Sequence, residues 1–116
     1  TATVQQKARD TQRKTDLRSL QKGLEEYFVN NNGYPKTLAE LTKDTVDSPA
    51  IIKAIPADPT NKVPFGYTYA PGTQVQAAYT TYTLRACLEN AADTGSFVIN
   101  PVAPCKTATF ELINPN

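Results

Sequence analysis

Apolar residues recur at helical spacing between Leu17 and Phe28. With Leu17 set at zero and about 100° per residue, Leu20, Leu24, Tyr27 and Phe28 share one arc. Extended upstream, the same line meets Arg13, Asp10, Arg9 and Gln6 instead of hydrophobic side chains. The pattern predicts a helix over about 5–31 whose apolar face ends near Arg13. Its first turns are therefore expected to project from the domain or to belong to a partner. At about 1.5 Å per residue the helix runs roughly 40 Å, longer than a domain with a radius of gyration of about 13 Å can cover. Asn30-Asn31-Asn32-Gly33, which adopts left-handed conformations cheaply, and Pro35 beyond it define the stop.

The pattern then changes. Thr37-Leu-Ala-Glu40 has the form of a capping box and predicts a short helix to about Lys43, with Leu38 and Leu41 turned inward. Ser48-Pro49 is a second start signal and predicts one or two helical turns over Ala50–Ile55. Pro56, Pro59 and Pro64 predict an extended, ordered loop from Ile55 to Phe65. Alternation follows: Phe65, Tyr67 and Tyr69 on one strand face, a turn at Pro71-Gly72, then Tyr82, Leu84, Ala86 and Leu88 alternating with Thr81, Thr83, Arg85 and Cys87. A turn over Asn90–Gly95 and strands at Phe97–Ile99 and Thr109–Ile113 complete the series. The expected fold is α+β: a long N-terminal helix on a small antiparallel sheet of three to four strands. It forms a single domain over residues 1–116, with the helix at about 5–31, a connecting loop with short helices at about 32–64, and the sheet and C-terminal region at about 65–116.

Charge is uneven along this plan. Residues 1–22 carry Lys7, Arg9, Arg13, Lys14, Arg18 and Lys22 against Asp10 and Asp16, a local +4, so the remainder carries −3 to reach the chain's +1. Lys14 with Arg18 and Arg18 with Lys22 are unfavourable i,i+4 pairs. The stripe is either a solvated helix surface or the face of an anionic neighbour: a membrane surface, an acidic patch on another subunit, or nucleic acid. No run approaches the length of a membrane span. The chain begins Thr-Ala-Thr and contains no Met, which predicts a processed or trimmed form with more helix upstream.

Little in the sequence suits catalysis. There is no His, no nucleophile motif and no Gly-rich phosphate loop, and Asp44, Asp47, Asp58 and Glu89 show no paired spacing. No catalytic, cofactor-binding or metal-ligating residue is assigned, and no enzymatic activity is expected. The two cysteines, Cys87 and Cys105, lie in a Thr-, Asn-, Pro- and Tyr-rich chain of the kind that is exported, which predicts a disulfide worth about 3 kcal/mol. Two buried free thiols are the alternative; a metal site lacks further ligands and a catalytic thiol lacks a His.

Three segments together resemble the type IV pilin and type II secretion pseudopilin superfamily. They are Ala8–Pro35, a polar helix half ending in an aromatic pair and an Asn-Gly-x-Tyr-Pro-like turn; Ile55-Pro-Ala-Asp-Pro59 with Pro64-Phe-Gly-Tyr67; and Tyr82-Thr-Leu-Arg-Ala-Cys-Leu-Glu-Asn90. The resemblance implies a prepilin leader and an apolar helical segment upstream, which anchors the subunit in the inner membrane and later forms the filament core. Many major pseudopilins bind calcium through an acidic C-terminal loop. Here Glu89–Pro104 offers only Glu89 and Asp93, too few for a hard cation. Cys87 and Cys105 bracket that region, as in the disulfide-closed C-terminal region of many type IV pilins.

The resemblance therefore implies first a structural subunit of a type IV pilus, an extracellular filament serving motility or adhesion. The alternative is a major pseudopilin of a type II secretion system, and a DNA-binding competence pilin is a further one. Partners would be further copies of the chain, other pilins and the inner-membrane assembly platform. Nucleic acid is the weaker partner, because the net charge is only +1 and the tyrosines alternate as core residues do. Arg9, Arg13, Lys14 and Arg18 are the expected filament-interface residues.

Overall fold

The computed structural model describes residues 2–115. No proline and only Gly23 interrupts the run that forms α1 (Ala2–Asn31), so the helix continues for 30 residues. It spans most of the molecule, whose principal extents are 48 × 27 × 22 Å. Asn32 ends it in the left-handed conformation (φ 55°), its amide donating to the Phe28 carbonyl at 2.7 Å. Gly33 serves a different purpose: a Cβ there would stand 3.1 Å from that of Ala78, so its absence allows the close approach of the two segments.

The sheet has four antiparallel strands, β1 (Thr68–Pro71), β4 (Tyr82–Leu88), β5 (Val98–Ile99) and β6 (Ala108–Ile113), in the order β1-β4-β6-β5. Register follows the pleat, with Leu84 opposite Tyr69 on one side and Leu112 on the other. Tyr82, Leu84, Ala86 and Leu88 of β4 and Ala108, Phe110 and Leu112 of β6 thus share the face that meets Leu17, Leu20 and Leu24 of α1. This is the expected α+β architecture, with the apolar half of the helix on the two central strands.

Several expected elements differ. Leu38–Thr42 is a 3-10 helix, and the Thr37 side chain makes no cap hydrogen bond, so the capping box does not form. Residues 50–55 are not helical. The amides of Ile51 and Ile52 both donate to the Leu41 carbonyl, at 2.9 and 3.1 Å, and so are taken by a tertiary partner rather than by the preceding turn. Phe65 precedes its strand, held in a turn in which its amide donates to Lys62. A further hairpin, β2 (Gln74–Val75) and β3 (Ala78–Tyr79), turns through Gln76 and Ala77 at φ 50° and 73°. Both positions favour Asn or Gly, so the residues present gave no turn signal.

The largest departure concerns the upstream half of α1. Asp10 and Arg13 continue the Leu17 stripe and are buried with it. The helix does not leave its domain at Arg13; it meets a charged layer instead of an apolar one.

Candidate functional site

Arg13 lies at the centre of that layer. Its Nε and Nη2 donate to the two Asp58 oxygens at 2.8 and 3.1 Å, and its Nη1 donates to Asp10 Oδ1 at 2.8 Å and Glu89 Oε2 at 2.7 Å. Phe65 covers the guanidinium, with its ring centroid 4.6 Å from the central carbon. Arg9 adds a bidentate pair to Glu89, at 2.6 and 2.7 Å.

The chain positions each carboxylate locally. Asp10 stands one helical turn before Arg13 and also accepts the backbone amides of Glu89 and Asn90, which binds the end of β4 to the helix. Asp58, in the Pro-Ala-Asp-Pro loop, accepts the amides of Thr60 and Asn61 in an Asx turn that fixes its direction. One arginine thus joins α1, the proline-rich loop and β4. Among the described residues no buried side-chain polar atom lacks a partner, the condition under which a buried ionic group is tolerated.

Electrostatics follow from this geometry. The Arg9 hydrogen bonds, opposed by burial and reinforced by Arg13, hold the Glu89 carboxyl down to about 2. Burial pushes Asp58 up, but the Arg13 hydrogen bonds and the two backbone amides outweigh it, and its carboxyl lies below the usual range. Burial likewise opposes the charge on Arg13, and its three carboxylate partners prevail, so the guanidinium stays ionised.

Carboxylates recur along the rest of the buried face. Asp16 accepts the Tyr67 hydroxyl at 2.6 Å, and Glu25 accepts those of Tyr34 and Tyr82, each at 3.0 Å. Burial, then the nearby carboxylate, pushes the Tyr67 hydroxyl far above its ordinary value. These tyrosines pack on the core with their hydroxyl tips hydrogen-bonded.

The four expected interface cations therefore divide. Arg13 is fully buried, Arg9 is paired with Glu89, and Lys14 reaches Asp93 at 2.6 Å. Arg18 remains exposed, stacked over Phe97 and Phe110 at 5.4 and 5.7 Å from their centroids. Sequence reasoning missed Asp58 and Glu89 as partners; the available signal was an opposite-charge pair, Asp10 and Arg13, on a stripe that is otherwise core. Glu89 and Asp93, the two acids of the C-terminal loop, face cations of α1. The disulfide forms between Cys87, on the strand face away from the helix, and Cys105, with Cα atoms 5.1 Å apart.

The family Type II secretion system (T2SS), protein G, matches residues 2–89, a stretch that begins with α1 and ends on Glu89. The chain belongs to this family. It is a pseudopilin, and the matched stretch contains Arg13 with all three of its carboxylate partners. No curated protein and no solved structure matches the pseudopilin significantly. The family is that of the secretion alternative rather than of the type IV pilus, with which it shares the wider superfamily. Among the described residues no helix of the pseudopilin is long and apolar enough to cross a membrane.

Proposed function

We propose that this pseudopilin is a structural, non-enzymatic subunit of a periplasmic type II secretion pseudopilus. It would work by assembling with other pilin-like subunits through its N-terminal helix, on an inner-membrane platform. The single observation that carries this reading is the match of residues 2–89 to type II secretion protein G. The disulfide supports an oxidising compartment such as the periplasm. The ionic layer supports a mechanical role, since it fixes the direction of the helix relative to the proline-rich loop and the end of β4 at a point where the buried stripe of α1 turns from apolar to charged.

Deletion of the gene tests the reading. Secreted enzymes are expected to accumulate in the periplasm of the deletion strain, and the full-length gene is expected to restore their export. Normal export with loss of surface filaments would overturn it in favour of a type IV pilus subunit. That second reading draws on the disulfide-closed C-terminal region and on Glu89 and Asp93, both paired with cations of α1.

A further inference from the structure

Two exposed features lie on opposite flanks of α1. On one flank, about 100–140° round the helix from Leu17, stand Arg18 and Lys22. Both are exposed, and neither makes an ion pair with another described residue. Beside Arg18, which stacks on its ring, Phe97 is 54% exposed, with its backbone in the left-handed region at φ 65°. A bulky side chain in that region is a rare, strained choice. Here it holds an aromatic ring at the surface against the Arg18 guanidinium.

On the other flank, Leu41 packs on the helix at Gly23, about 120° round in the opposite sense. The loop that follows lies beside Tyr27 and Asn31, across a cleft of about 170 Å³. It is a closed turn: the Thr45 amide donates to the Ser48 carbonyl at 2.9 Å, and the Ser48 amide donates to the Thr45 hydroxyl at 3.0 Å. The turn presents Val46, 103% exposed, between Asp44 and Asp47, which pair with no cation among the described residues. Each flank therefore has an exposed apolar centre accompanied by exposed charge, of opposite sign on the two.

We propose that the Asp44–Asp47 turn of one copy docks on the Arg18–Lys22–Phe97 surface of the next. Val46 meets the Phe97 ring, and the two carboxylates meet Arg18 and Lys22. This deepens the pseudopilus reading and rests on it, because it names a contact between successive subunits. The flanks point apart, so one chain cannot satisfy both within itself. The two patches also differ, so the contact is heterologous and propagates from copy to copy instead of closing a two-fold dimer.

Full-length protein carrying Pro49→Cys and Ser96→Cys, exposed positions beside the two patches, is treated in its host cells with a short bis-maleimide. A ladder of multimers is expected from the double variant, and no ladder from either single variant. Adding Asp47→Lys lowers the ladder about tenfold, and adding Arg18→Glu to that variant restores it. Absence of the ladder overturns the contact. If deletion of the gene still abolishes export, only the contact fails; if export is untouched, the pseudopilus reading fails with it. Arg18- and Lys22-dependent co-sedimentation with anionic phospholipid vesicles, without a ladder, would assign the basic flank to a lipid surface instead and would also overturn the proposal.

Discussion

Arg13 and Asp58 lie 45 residues apart in sequence and form a two-point ion pair at 2.8 and 3.1 Å, with both side chains fully buried. The pair fixes the helix to the proline-rich loop in the part of α1 where the buried stripe carries Asp10 and Arg13 in place of leucines. Replacing Arg13 with Ala leaves Asp10, Asp58 and Glu89 facing one another without their shared cation. A loss of about 3–5 kcal/mol is expected, read by urea denaturation. Arg13→Lys recovers only part of it, since an ammonium cannot span both Asp58 oxygens.

Glu89 gives the layer a pH dependence. Its carboxyl is held at about 2 in the folded protein against an ordinary value of 4.5. A depressed carboxyl contributes stability above the ordinary value and loses it as pH falls towards the folded one. Stability should therefore decline between about pH 5 and pH 2. Allowing for solvent screening, the Glu89 share is about 1–2 kcal/mol. Glu89→Gln should flatten that part of the pH profile while lowering stability at neutral pH.

The Cys87–Cys105 bridge ties the loop after β4 back to the outer face of the sheet. Substituting both cysteines with Ser is expected to cost about 3 kcal/mol. A reducing agent should lower the Tm of the unsubstituted protein and leave that of the double variant unchanged.

The β2–β3 hairpin turns through Gln76 and Ala77 at positive φ, where neither residue is at ease. The double change Gln76→Asn with Ala77→Gly should stabilise the protein by about 0.5–1 kcal/mol, because the new residues adopt this turn without strain. A higher urea midpoint with an unchanged slope would show it.

Local pattern determined much of this molecule. The period of Leu17, Leu20 and Leu24 specified the helix and its buried face, the Asn-rich segment specified its end, and the alternation from Tyr82 to Leu88 specified the central strand. These features depend on residues near one another, so the chain carries them in plain order. Tertiary structure decided the rest. Leu41 withdrew the amides of Ile51 and Ile52 from a local helix, and Ala78 came against Gly33. It also decided what lies beneath the first half of α1. On the chain, Asp10 and Arg13 look like the end of an apolar face; in the fold, they are its continuation. A buried charge is tolerable only when its partners arrive in the right geometry, and Asp58 and Glu89 come from segments whose approach no local spacing encodes.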